Sequence, residues 1–185
     1  MKANLIVIQL VIISVFILQT LQAQRIAAGG WHSLAVCADS TIKAFGENAS
    51  GQLGDGTTTD SNIPLTVAGL TGIVAVSAGG DQLEAHSMAL KSDGTVWAWG
   101  SNLYGGLGNG STTNSPAPIQ SLLLSNITAI SAGRWHSVAL KNDGTVWVWG
   151  WNTDGQLGDG TTVDKTIATQ VPGLAGITAI SAGTY

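Results

Sequence analysis

The chain has 185 residues, 44% of them hydrophobic and only 10% charged, with 25 glycines and seven tryptophans. That balance excludes a disordered chain and suits a turn-rich all-β protein. Seven Lys and Arg stand against eleven Asp and Glu for a net charge of −4, and the cations are scattered, which excludes a phosphate-neutralising patch and, with it, nucleic acid as the partner.

Residues 1–23 read as a cleaved secretory signal: Lys2 is a short positive start, Leu5 to Leu18 is an apolar stretch, and Leu21-Gln22-Ala23 puts a small residue before the cut. The alternative is a membrane anchor, which Gln9, Gln19, Thr20 and Gln22 dilute. The expected location is secreted or cell-surface, with no membrane association after cleavage. Cys37 is the sole cysteine, so no internal disulfide holds the fold. It occupies the position of Lys91 and Lys141 in the repeat, next to a turn, and reads as an exposed thiol or a half-buried filler.

From residue 24 onward the chain is repetitive. The Ala-Gly pair recurs at Ala28, Ala78, Ala132 and Ala182, in steps of 50, 54 and 50, and a glycine loop opens at Gly51, Gly105 and Gly155. The odd step comes from four extra residues around Asp81-Gln82-Leu83-Glu84. The repeats run over about 26–75, 76–129 and 130–179, with the start of a fourth at 180–185. A period near 50 means stacked supersecondary units that cannot bury their faces alone.

Within one unit the expected strands are residues 127–132, 137–141, 145–150 and 167–171. Asn142-Asp143-Gly144 joins the second and third as a hairpin, with glycine supplying the positive φ. The same turn is Ser92-Asp93-Gly94 in the second unit and Ala38-Asp39-Ser40 in the first. In Thr145-Val146-Trp147-Val148-Trp149 the valines take one face and the tryptophans the other. A strand apolar on both faces must be covered on both sides, as in a propeller blade. The fold class is therefore an all-β, incomplete β-propeller of about three four-stranded blades.

The run AG-x-WHS-x-AL-K-x-DGTVW-x-WG-x-N-x-x-GQLGDGTT, complete at residues 132–162, resembles the repeat of the regulator of chromosome condensation family. The resemblance covers the whole mature chain and implies a propeller, with seven blades in that family. About three units are fewer than a closed propeller uses. The expectation is a longer parent, the alternative a short protein that closes by self-association.

His32, His86 and His136 recur at one place in each unit, but no cysteine or carboxylate joins them at ligand spacing, so no metal or cofactor is expected. Ser33, Ser87 and Ser137 follow them, yet strand neighbours point to opposite faces, which argues against nucleophilic pairing. Asp55-Gly-Thr-Thr-Thr-Asp60 and Asp159-Gly-Thr-Thr-Val-Asp164 suggest calcium, but the second unit has Asn109 and Asn114 there, so turn chemistry is the better reading. Trp97, Trp99, Trp147 and Trp149 lie in strands and read as packing between blades. Asn48, Asn109 and Asn126 open N-x-Ser/Thr sequons.

The candidate partner-binding loops contain Trp31, His32, Asp81, Gln82, Leu83, Glu84, Arg134, Trp135 and His136, since aromatics and arginine are enriched at contact hot spots. The expected function is a secreted, non-catalytic module that binds a protein or surface polymer. The alternatives are an accessory propeller of a longer secreted hydrolase and a cell-surface repeat array.

Overall fold

The computed structural model of the chain describes residues 25–184; the signal expected at residues 1–23 lies outside them. Among the described residues there are twelve strands and no helix. The strands are β1 (Ile26–Ala28), β2 (His32–Val36), β3 (Ile42–Gly46), β4 (Ser61–Thr66), β5 (Ile73–Gly79), β6 (His86–Lys91), β7 (Val96–Gly100), β8 (Ser115–Gln120), β9 (Ile127–Ala132), β10 (His136–Lys141), β11 (Val146–Gly150) and β12 (Lys165–Gln170). They form three four-stranded sheets, each in simple up-and-down order, so each repeat is one blade.

The hairpin at the middle of each blade is closed by the expected turn. Lys91 carbonyl accepts from Gly94 N–H at 2.9 Å, and Lys91 N–H donates to Thr95 carbonyl at 3.0 Å. Gly94 and Gly144 both sit at φ 79°, where a Cβ is costly. The Asp before each glycine adds a second lock, because Asp93 accepts from both the Thr95 amide (3.0 Å) and its hydroxyl (2.6 Å). The first blade keeps the geometry without glycine: Ser40 takes φ 62°. Cys37 makes the same backbone bond there (2.8 Å to Thr41 carbonyl) as Lys91 makes to Thr95, and its side chain is half-buried.

Register is the same in all three hairpins and pairs Ser33 with Phe45, Ser87 with Trp99, and Ser137 with Trp149. The outer strands β4 and β8 carry Pro64, Pro116 and Pro118, residues that a ladder tolerates only at an edge.

Alternation along β7 divides the core into two seams. Val96 and Ala98 face the third blade with Ile127 and Ile130. Trp97 and Trp99 face the first blade with Leu34, Ile42 and Leu53. Trp99 and Trp149 are fully buried, whereas Phe45, at the same position in the first blade, is 38% exposed because no described blade lies against that flank.

Candidate functional site

The repeated Trp-His-Ser tripeptide splits between two tasks. His32 Nε2 lies 2.9 Å from Ser87 Oγ of the next blade, and His86 Nε2 lies 2.9 Å from Ser137 Oγ. The Ser87 hydroxyl donates to the Gln52 carbonyl (2.8 Å) and the Ser137 hydroxyl to the Gly106 carbonyl (2.9 Å). A hydroxyl has one hydrogen and a carbonyl can only accept, so the histidine ring must donate from Nε2. The same carbonyls accept from Trp99 Nε1 (2.8 Å) and Trp149 Nε1 (2.7 Å).

Histidine and serine thus do meet, but across blades, a contact that strand alternation within one unit does not reveal. The pairing is the wrong way round for nucleophilic activation, since the serine proton is already directed at a carbonyl. Burial favours the neutral rings, lowering His32 to about 4. Burial, reinforced by His136 and His32, lowers His86 to about 3. In the first and third units the glycine of the Ala-Gly pair makes room for the ring: a Cβ on Gly29 or Gly133 would lie 2.6 or 2.5 Å from the imidazole Cε1 of His32 or His136.

The glycine loops are clamped by a buried asparagine. Asn48 Oδ1 accepts from Leu53 N–H at 2.8 Å, while Nδ2 donates to Thr57 and Thr59 carbonyls and to Asp55. Asn102 and Asn152 repeat the pattern. The carboxylates that resemble calcium ligands are occupied by this network: Asp60 accepts from the Asn48 amide at 2.8 Å. At Asp159 the Thr161 hydroxyl, more than Lys165, holds the carboxyl down to about 2. Among the described residues no group of three or more His, Cys, Asp and Glu is placed to hold a metal. Asn48 is fully buried, so its sequon is sterically closed.

The first residue of the tripeptide points elsewhere. Trp31, Asp81, Gln82, Leu83, Glu84, Tyr104, Arg134 and Trp135 line one cavity of about 420 Å³ at the loop end of the blades. The four-residue insertion is fixed from two sides. Asp81 accepts from the Leu83 and Glu84 amides (3.3 and 3.2 Å), and Ser50 of the first blade donates to the Leu83 carbonyl at 2.8 Å. The Asp81 carboxylate also pairs with the Arg134 guanidinium. Partial burial pushes Asp81 up, but bonds from Arg134 and the Leu83 amide outweigh it and hold the carboxyl below its usual range. Arg134 lies 4.0 Å from the Trp135 ring centroid, and Trp135 packs edge-on against Trp151 at 4.7 Å and tilted against Tyr104 at 5.5 Å.

Seven of the nine candidate loop residues therefore converge on this cavity. His32 and His136, grouped with them in the sequence, are 3% and 5% exposed and lie in the blade core, because the next residue along a strand faces the other way. Tyr104 and Trp151 were not among the candidates. Their signal was copy-to-copy difference: Tyr104 stands where the other units have Ser50 and Asp154, and Trp151 where they have Glu47 and Ser101. Trp31 is 59% exposed and Leu83 73%, so the cavity's rim is apolar and open.

Stacked four-stranded blades with copy-specific loops at one end define the class: a β-propeller repeat scaffold. The model of the regulator of chromosome condensation (RCC1) repeat matches residues 44–90, 93–140 and 143–185, and a second model of that repeat matches 24–52 and 127–156. The chain belongs to the regulator of chromosome condensation repeat family.

Its relatives include the human E3 ubiquitin-protein ligase HERC2, 34% identical over 94 residues, which cover 51% of this chain and 2% of the ligase. The Arabidopsis thaliana ultraviolet-B receptor UVR8 is 36% identical over 103 residues, covering 55% of this chain and 22% of the receptor. In structure, human WBSCR16 aligns at a TM-score of 0.75 with 25% identity, covering 86% of this chain and 42% of that protein. Prp20p of Saccharomyces cerevisiae, described together with its binding to Gsp1p and histones, aligns at 0.72 with 24% identity, covering 86% and 41%. The chain thus spans less than half of each of these proteins.

Proposed function

We propose that the chain is a secreted, non-catalytic propeller module that binds another protein, or a surface polymer, through the loop cavity bounded by Trp31, Leu83, Tyr104 and Trp135. One observation carries the reading: the four-residue insertion at Asp81 to Glu84, the copy-specific Tyr104 and Arg134, and the loop tryptophans Trp31 and Trp135 converge on a single cavity with an exposed apolar rim. Exposed apolar groups around a concave surface mark interaction sites, and tryptophan, tyrosine and arginine are enriched at their hot spots. The non-catalytic reading is supported by the histidines and serines, whose hydrogen bonds are directed into the blade seams.

The test is affinity capture of the host's extracellular proteins on the full chain and on a Trp31→Ala/Leu83→Ser variant. A partner retained by the chain and lost on the variant supports the reading. Partners held equally by both contradict the cavity, and partners found only inside the cell contradict secretion. The small fraction of HERC2 that the match covers favours a second reading, in which these blades are an accessory module of a larger protein such as a hydrolase. Sequencing the transcript beyond Tyr185 decides it: a catalytic domain there supports this reading, and further blades followed by a stop overturn it.

A further inference from the structure

We infer that the loop cavity is a socket for a cationic side chain, an arginine or lysine projecting from a loop or extended segment of the partner protein. The inference rests on the binding reading above and adds the chemistry of what is bound.

The walls supply the first argument. Trp31 and Tyr104 present aromatic rings beside the opening, with Trp135 already covered by Arg134, and ring faces carry the negative lobe of the π quadrupole that attracts cations. The protein itself uses such faces this way: Arg134 lies 4.0 Å from the centre of Trp135, and Lys141 lies 4.1 Å from that of Trp147.

The charges supply the second argument. Three lining residues are charged: Asp81, Glu84 and Arg134. Arg134 is committed to Asp81, while the Glu84 carboxylate makes no ion pair with the described residues. An incoming cation would therefore find an uncompensated carboxylate beside aromatic faces. An anion would meet Glu84 with the lining's one cation already paired.

Size and neighbours agree. About 420 Å³ admits a side chain and its flanking backbone rather than a folded domain. Exposed Leu83 and Leu103, 73% and 52% exposed, offer apolar contacts to the residues on either side of the inserted one. The occupant is thus a cation set between apolar residues.

The experiment is selection of a random displayed heptapeptide library on the full chain, followed by tryptophan-fluorescence titration of the most enriched peptide as a synthetic probe. The expected result is enrichment of Arg or Lys next to apolar residues and depletion of Asp and Glu. Glu84→Gln and Trp31→Ala should each weaken the probe about tenfold, and replacing the probe's cation by norleucine should weaken wild-type binding and abolish the effect of Glu84→Gln. Both substitutions are at solvent-accessible loop positions, so an unchanged urea midpoint verifies folding. Enriched peptides that are acidic or uncharged, yet lost on Trp31→Ala, overturn the cationic socket and leave the binding surface standing. Enrichment indifferent to both substitutions, or none at all, overturns both.

Discussion

The blade seams and the loop cavity are built from neighbouring residues of one repeated tripeptide, yet they obey opposite rules. In the seams every copy is alike: histidine, serine, carbonyl and tryptophan form the same closed set of hydrogen bonds between blades one and two as between blades two and three. In the cavity the copies diverge: the tripeptide opens with Trp31 and Trp135 in the first and third units but with Ala85 in the second, which adds Asp81 to Glu84, and Arg134 and Tyr104 each occur in one copy. Repetition therefore marks what holds the blades together, and departure from it marks what is free to take a partner.

The contrast is broken most severely by acid. His32 and His86 titrate near 4 and 3 in the folded chain against about 6.5 when unfolded. Above pH 6.5 the rings are neutral in both states and the seams are at full strength. As pH falls below 6.5 the unfolded chain takes up protons that the folded chain refuses, so stability declines, levelling only below the folded values. The loss is roughly 3 to 5 kcal/mol per ring once pH is below the folded value. Urea midpoints measured from pH 8 down to pH 4 should fall steadily from about 6.5, and the slope should shrink when His32 is replaced by Gln.

Trp149→Ala comes next. It empties a fully buried position and removes the second donor to the Gly106 carbonyl, at a cost of about 4 kcal/mol. Phe45→Ala, at the same register on the partly exposed flank, should cost well under half of that. Equal losses in urea unfolding would mean that the seam adds nothing to ordinary strand packing.

Ser137→Ala should cost about 2 kcal/mol, because it leaves His86 Nε2 buried without its acceptor. Ser33 occupies the same position in the first blade but has no such histidine among the described residues, so Ser33→Ala should stay within about 0.5 kcal/mol. Smallest of all is the effect of Trp31→Ala on folding, again within about 0.5 kcal/mol, although it should abolish partner retention. A large stability loss there would make Trp31 a packing residue.

Much of the seam's scaffolding was legible in the sequence because it is local. The Asp-Gly turns, the alternation of Val and Trp in β11, and the period near 50 all rest on near neighbours, and they locate strands to within about two residues. The Ser87 to His32 bond joins residues 55 apart in the chain, and nothing local announces it. The tripeptide order gave only the reason why His and Ser of one unit do not meet. The clamp role of Asn48 was missed for a similar reason, since its partners are mostly backbone carbonyls of Thr57 and Thr59 and carry no side-chain signature. The cavity's membership was legible where an insertion or an added charge stood out, at Asp81 to Glu84 and Arg134. It was not legible where a single residue such as Tyr104 changed within an otherwise regular loop.

The most direct test of seam against cavity is amide hydrogen exchange on the free chain. The slowest exchange should fall at Leu53 and Leu107, whose amides are held by the buried Asn48 and Asn102, and along β6, which lies between both seams. The amide of exposed Gln82 should exchange among the fastest. Protection of residues 81–84 equal to that of β6 would contradict the division, making the loops part of the fold's core rather than the surface held ready for a partner.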